Sequence, residues 1–464
     1  MTEKTFLFYD LETTGLNPPF DQIVQFAAIR TDLAFNEIER CEWVAKLDPD
    51  VIPAPEATIT HRTSIARMKK EGMSHFEMVR KIHQMINTPG TMSLGYNTLG
   101  FDDEFLRFNF YKNLLPPYTH QYANQCSRAD VYPIVVMYYL FNPLAFKWPN
   151  VDGKLSFKLE EISAANQFVF GQAHNALVDV EATVALAKEC ANEKKMWDYL
   201  LAYFNKNIDS ERIYALPKED GRQYGLYVSG SLGLGSNFIA PCLFLGTHAH
   251  YKNQTLWLRL DLPELKKSLG DDFQTNTWVI NKKFGEPGFL LPPNARYMEC
   301  VSDERKEIVR ENLEWLSHHS AHLEKIIDHY RHYTYPEVEG VDPSAALYIN
   351  GFLTDAEQRQ SQQFHHVEWK HRSECIDTMK NANVKALAIR ILGYHDVALL
   401  SEEQKEIYDA YIESCRASQE IKDYKGCHKL TPLRAMQRIE EIKLERKLDD
   451  EQLALLDELA QFLG

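Results

Sequence analysis

Three stretches between residues 5 and 47, "TFLFYD", "QIVQFAAIRTD" and "CEWVAKLD", are runs of apolar and aromatic residues joined by short polar connections. They predict three strands in an antiparallel meander. The period then lengthens. In "HFEMVRKIHQMIN", Phe76, Val79, Ile82, Met85 and Ile86 recur at helical spacing, and "TMSLGYN" returns to a strand. "FDDEFLRFNFYKNLL" opens with acids suited to a helix N-terminus and sets Phe101, Phe105, Phe108 and Tyr111 at core spacing. Helices follow around "PIVVMYYLF" and "SFKLEEISAAN", and a long one is expected from about His174 to Phe204. Strands first and helices added later make an α/β layer pattern.

From about 194 to 335 the texture changes. "YGLYVSGSLGLGSNFIAPCLFLG", "QTLWLRLDL" and "TWVINKK" alternate with glycines and predict a small β-rich domain, closed by the helix "ERKEIVRENLEWLSHHSAHLEKIIDHY". The remainder reads as helical. Thr354 with Glu357 and Ser401 with Gln404 fit capping boxes, and Thr431-Pro432 fits an N-cap followed by Pro at the first helical position. Leu453, Leu456, Ala460 and Leu463 form a last amphipathic stripe. The expected division is 1–193, 194–335 and 336–464, with no 20 to 50 residue repeat.

Composition narrows the classes. A chain of 464 residues, 44% hydrophobic and 25% charged, is globular and long enough for two or three domains. No apolar run reaches the roughly 20 residues of a membrane span, and "MTEKTFLFYD" lacks the marks of a signal peptide, so a cytoplasmic protein is expected. Eight scattered cysteines without a CxxC pair predict reduced thiols rather than a zinc ribbon or disulfide framework. A formal charge of −15 argues against a general polyanion binder, so any nucleic-acid groove must concentrate its basic residues on one face.

Side chains alternate along a strand, which puts Phe6, Phe8, Asp10 and Glu12 on one face with both acids at its end. Two carboxylates so close repel each other unless hard divalent cations such as Mg²⁺ or Mn²⁺ lie between them. A bare DxE before Gly15 is more often a plain acidic turn. Further along, "GYNTLGFDDEFL" offers Asn97 and Asp102, with Asp103 as a neighbouring rival, and "HNALVDVEAT" offers His174 and Asp179. Each alone has an ordinary reading as a helix-dipole acid, a solvated face or a packed histidine.

In that order, Asp10-x-Glu12, Asn97-x-x-x-Phe101-Asp102 and His174-x-x-x-x-Asp179 resemble the DEDDh group of 3′-to-5′ exonucleases. The resemblance implies a ribonuclease H-like fold and two metal ions held by Asp10, Glu12, Asp102 and Asp179. It also implies His174 as general base, Glu12 counting with it among the catalytic residues. Two ions about 3.5 to 4 Å apart can serve the attacking and leaving oxygens of a phosphate. A histidine of pKa near ~6.5 can take the proton of water at neutral pH. The expected products are 5′-mononucleotides.

The likeness runs further. "FAAIRTD", "LGYN", "FDDE", "VDVEATVALAK", "VSGSLG", "NFIAPCLF", "INK" and "ALYINGFLTDAE" resemble the bacterial exonuclease I family over essentially the whole chain. That implies an SH3-like β domain and a C-terminal helical domain around the nuclease domain, a C-shaped channel for single-stranded DNA, and a monomer. It also implies a partner, the acidic C-terminal tail of single-stranded DNA-binding protein, and a role in recombination and repair. Stacking on aromatics and backbone electrostatics hold single strands. Arg107, Tyr118, Tyr122, Lys206 and the run Ser156, Phe157, Lys158 and Leu159 are the candidate DNA contacts. Lys158 departs from the family's arginine and keeps the charge without the bidentate fork. "THRTS" at 60–64 departs too, outside the ligand set.

His365, His366, His371 and Cys375 faintly imitate a metal site, but a helical surface is the better reading. His318, His319, His322, His329 and His332 are expected along one helix face, and "GSLGLG" as part of a strand hairpin rather than a phosphate loop. Two rival functions stand beside a DNA exonuclease. One is an RNA-processing exonuclease of the same superfamily. The other is a silent binding scaffold, which would gain nothing from clustered acids beside phosphates.

Overall fold

The computed structural model describes residues 3–169, 176–270, 273–417 and 421–464. The expected meander is formed by β1 (Thr5–Thr13), β2 (Ile23–Thr31) and β3 (Glu37–Val44). Two short helices, α1 (Pro55–His61) and α2 (Ile65–Glu71), precede α3 (His75–Ile86), β4 (Thr91–Gly95), α4 (Asp102–Lys112), β5 (Ser127–Asp130) and α5 (Val131–Phe141). A two-strand ribbon, β6 (Asn150–Val151) and β7 (Lys154–Leu155), leads to α6 (Leu159–Asn166), α7 (Ala176–Ala191), α8 (Lys194–Leu201) and α9 (Lys206–Tyr214).

The sheet order is β3-β2-β1-β4-β5, with β1 antiparallel to β2 and parallel to β4. This is the ribonuclease H-like arrangement that the resemblance implies. All nine residues of β2 are buried because both faces are covered. On one face, Phe6, Phe8 and Ile29 pack with Ile134 of α5 and with Val180 and Leu186 of α7. On the other, Leu7, Tyr9 and Phe26 pack with Val79 and Ile82 of α3 and with Phe105 and Leu106 of α4.

The long helix expected from His174 to Phe204 is interrupted. Glu193 leaves helical geometry (φ −92°, ψ 66°), and α8 takes a new direction. That turn lets Trp197 reach the rings of Phe6 and Phe35, at 6.4 and 6.1 Å between centroids. Burial of a large aromatic outweighs continuation of the helix here. The expected start of that helix at His174 lies outside the described residues.

The β-rich part contains β8 (Lys218–Glu219), β9 (Arg222–Val228), β10 (Ile239–Thr247), β11 (Gln254–Arg259), β12 (Val279–Lys283) and β13 (Phe289–Leu291). They form one antiparallel sheet ordered β12-β11-β10-β9-β13, with β8 on β9. After α10 (Ala295–Met298) come α11 (Asp303–His318) and α12 (Ser320–His332), two helices broken at His319 rather than the one expected. Their Val309, Leu316, Ile326 and Ile327 cover Leu243, Leu256 and Leu258 of the sheet. Leu226, Phe289 and Leu291 belong to the same core as Phe6 and Phe8, so the nuclease-side core continues past residue 193.

The last part comprises α13 (Asp355–His366), α14 (Arg372–Asp377), α15 (Ala382–His395), α16 (Glu402–Ala417), α17 (Pro432–Glu445) and α18 (Asp450–Leu463). The Thr354 and Glu357 box closes in both directions, and Thr431 caps α17. Residues of α15, with Phe364 of α13, share a core with Phe76, Phe108 and Tyr111. "THRTS" lies under this region. His61 is buried, and Arg62 pairs with Asp449 (2.6 Å) and with Glu451. Ile59 and Ile65 pack on Ile439, Ile442, Leu456 and Leu459.

Candidate active site

β1 carries its acids out of the core at the end where its pairing with β2 shifts register, between Glu12 and Thr13. The turn beyond is tight. A Cβ on Gly15 would come within 2.5 Å of the Asp21 carboxylate, which accepts hydrogen bonds from the Thr14 hydroxyl (3.0 Å) and the Asn17 N–H (2.8 Å). Glycine is therefore required for this close approach.

Asp179, in the first turn of α7, faces the two β1 acids. Carboxylate oxygens of Asp10, Glu12 and Asp179 all lie within 4.8 Å of one another, the one such ligand group among the described residues. Asp102, buried as the first residue of α4, adds its charge to theirs. Burial, then the charges of Asp102, Glu12 and Asp179, push Asp10 well above the usual carboxylate range. Burial first, then Asp179 and Asp102, raise Glu12 to about 8. Asp102 also rises to about 8, through burial and the charges of Asp130 and Asp103, against hydrogen bonds from its own N–H and that of Leu11. A half-buried set of hard oxygen donors under mutual repulsion fits one or more divalent cations. His174 lies outside the described residues.

The loop that delivers Asp102 is held by a residue the sequence reading passed over. Asp130, at the end of β5, accepts from the N–H groups of Asn97 (2.8 Å), Leu99 (3.1 Å) and Tyr132 (3.0 Å). Asn97 itself is left-handed, at φ +63°. The available signal was an acid directly before a helix start in "RADVYP", which reads as an N-cap.

The candidate DNA contacts divide by exposure. Tyr122 (70% exposed), Lys158 and Lys206 stand open to solvent. Ser156 accepts from the Lys158 N–H at 3.3 Å, ahead of α6. Phe157 packs among Tyr139, Trp148 and Phe238, and Leu159 is buried at the start of α6. Tyr118 is half-buried, between the Arg107 guanidinium (5.8 Å) and Phe352 (5.9 Å). Arg107 is buried and ion-paired with Asp103 and Glu104.

The imitations of other sites do not converge. His365 bonds the Asn113 carbonyl at 2.9 Å and stacks on Phe76, and Cys375 is buried in the helical core. "GSLGLG" forms two short 3-10 turns between β9 and β10.

Two family models match parts of the chain. Residues 7–187 match the family model described as Exonuclease, and residues 341–464 match Exonuclease I C-terminal domain. Exodeoxyribonuclease I of Escherichia coli (strain K12) is 30% identical over 383 residues, covering 77% of this chain and 78% of that protein. The chain belongs to the exodeoxyribonuclease I family. Membership makes it a nuclease. The structure of E. coli Exonuclease I in complex with a dA16 oligonucleotide superposes with TM-score 0.85 at 25% identity, covering 99% of both chains. That of SSB/Exonuclease I in complex with the inhibitor CFAM superposes with TM-score 0.83 at 24% identity over the same 99%. The family's fold thus extends through residues 188–340, between the two family models. Among the described residues, no helix is long and apolar enough to cross a membrane.

Proposed function

We propose that this protein removes 5′-mononucleotides from the 3′ end of single-stranded DNA by metal-dependent hydrolysis. The observation that carries the reading is the meeting of Asp10, Glu12 and Asp179 on β1 and α7, beside Asp102, in a chain of this family. Those four carboxylates would hold two Mg²⁺ ions, with Mn²⁺ as the alternative. When bound, the ions supply positive charge for the oxygens that gain negative charge as the phosphodiester breaks. His174 takes the proton of the attacking water, the role that the family resemblance implies for it. Exposed Lys158 and Lys206 attract phosphates, and Tyr122 offers a face on which a base can stack. Arg107, Tyr118, Ser156, Phe157 and Leu159 complete the candidate contacts, with Arg107, Phe157 and Leu159 held in packed surroundings.

The parts 1–193, 194–335 and 336–464 are read as the nuclease, SH3-like and helical sides of a channel for the single strand. The dA16 complex of the E. coli relative supports DNA as the substrate. The SSB/Exonuclease I structure supports single-stranded DNA-binding protein as partner; its acidic C-terminal tail as the bound segment, and a place in DNA repair and recombination, are what the family resemblance implies. A cytoplasmic monomer completes the reading, in keeping with eight free cysteines.

The test is to incubate the protein with 3′- and 5′-labelled single-stranded DNA, duplex DNA and RNA, with Mg²⁺ or EDTA. Mononucleotide release from single-stranded DNA, stopped by EDTA, is expected. Release that survives EDTA sinks the metal-dependent reading, and equal release from RNA sinks the DNA preference. His174→Ala should lower the rate and distort its pH dependence.

A further inference from the structure

Helix α4 begins with the candidate ligand Asp102 and is gripped one residue later. Asp103 is 1% exposed and meets three cationic or hydrogen-bonding partners: Arg128 of β5, Arg107 at 2.5 Å and the His120 Nε2 at 2.9 Å. Arg128 does not stop at Asp103. Its second terminal nitrogen donates to Glu286 Oε1 at 2.7 Å, and Arg107 lies 3.9 Å from the same oxygen. Glu286 belongs to the turn between β12 and β13, so the β-rich part of the chain reaches the helix that carries Asp102.

That turn is itself built with care. Asp209 and Lys282, both fully buried, pair at 2.6 Å. Lys282 also donates to the carbonyls of Lys283 (2.7 Å) and Glu286 (2.8 Å), while Asp209 accepts from the Gly285 N–H (2.8 Å). Gly285 adopts φ +71°, and a Cβ there would come within 3.0 Å of the Phe204 carbonyl and the Lys206 side chain. A buried pair that organises a glycine-dependent turn around one acid is more than surface decoration.

We propose that Glu286 is a positioning residue for hydrolysis: through Arg128 and Arg107 it fixes Asp103, and with it the first turn of α4, so that Asp102 stands where a metal ion is held. This rests on Asp102 being a ligand, as read above. Support of this kind beyond the ligands is typically worth about 10- to 100-fold in metal affinity or activity.

The experiment uses the full chain with Glu286→Gln, Glu286→Asp and Arg128→Lys, which keeps a cation near Asp103 but loses the fork that reaches both acids. Measured are kcat and KM on single-stranded DNA, and Mn²⁺ binding without DNA by electron paramagnetic resonance. Expected for Glu286→Gln and Arg128→Lys are about tenfold losses in kcat and in Mn²⁺ affinity with KM within about twofold, and partial rescue in Glu286→Asp. If Glu286 merely lines the DNA path beside Lys206, its neutralisation lowers KM and leaves kcat and Mn²⁺ affinity unchanged, which overturns the proposal. Loss of folding in Glu286→Gln leaves Arg128→Lys and Glu286→Asp to decide. An unmutated protein that releases no mononucleotides would overturn the proposed function. The Mn²⁺ comparison would still decide the role of Glu286.

Discussion

Asp102 and Asp103 are neighbours on one helix turn, equally acidic and both buried, yet their surroundings are opposite. Asp102 faces other carboxylates and is raised to about 8. Asp103 faces Arg128, Arg107 and His120, which together hold it well below the usual range despite its burial. Buried acids are ordinarily paired. Among the described residues Asp102 has like charges around it where Asp103 has cations, which suits Asp102 to a cationic partner from outside the chain.

The largest effects should fall on opposite properties. Asp179→Ala and Asp102→Asn are expected to cut mononucleotide release by more than about 100-fold, beyond what changes behind the ligands produce, while DNA binding measured by fluorescence anisotropy persists. Asp103→Ala should instead cost about 1–3 kcal/mol of stability in chemical denaturation, because buried His120 loses its hydrogen-bond partner and Arg128 keeps only Glu286. An Asp103→Ala protein as stable as its parent breaks the comparison.

The next effect is one of pH. Glu12 and Asp102 hold protons in the folded, metal-free protein up to about 8, whereas carboxylates in the unfolded chain release them near ~4. The folded state thus binds more protons across that window, and stability from these groups falls as pH rises from about 4 to 8. Melting in EDTA should lose temperature between pH 5 and 8, and Glu12→Gln should recover part of the loss at pH 8. Asp103 behaves in reverse. Its contribution is present above pH ~4 and disappears as acid protonates it. The smallest effect is expected at Lys158→Ala: the salt dependence of single-strand binding should weaken by about 0.7 in logarithmic slope, the share of one phosphate contact.

Much of this was legible in the chain because strand and helix periods are local. The β1 alternation placed Asp10 and Glu12 on one face, and the apolar spacing of α3 and α4 marked their cores. What was not legible depends on partners far away in sequence. The end of α7 follows from Trp197 reaching Phe6 and Phe35, a contact no local pattern announces. Arg107 looked like a free cation for DNA in the sequence, but Asp103 and Glu104, four and three residues before it on the same helix, take it into the core. Asp130 and Glu286 act on backbone and side chains brought near only by folding. Asp103 was read as a rival to Asp102, and the charge around it could be assigned only once Arg128 was placed beside it.

The docking of α17 and α18 onto Ile59 and Ile65 has a consequence in time rather than in space. Residues 55–71 leave the ribosome early, but the apolar faces that cover them, at Ile439, Ile442, Leu456 and Leu459, are made nearly four hundred residues later. At synthesis rates of about 5–20 residues per second, that front segment stays uncovered for tens of seconds. The nuclease side of the molecule therefore cannot be finished as an independent piece during translation, and its last buried contacts are set only after residue 459 has been added.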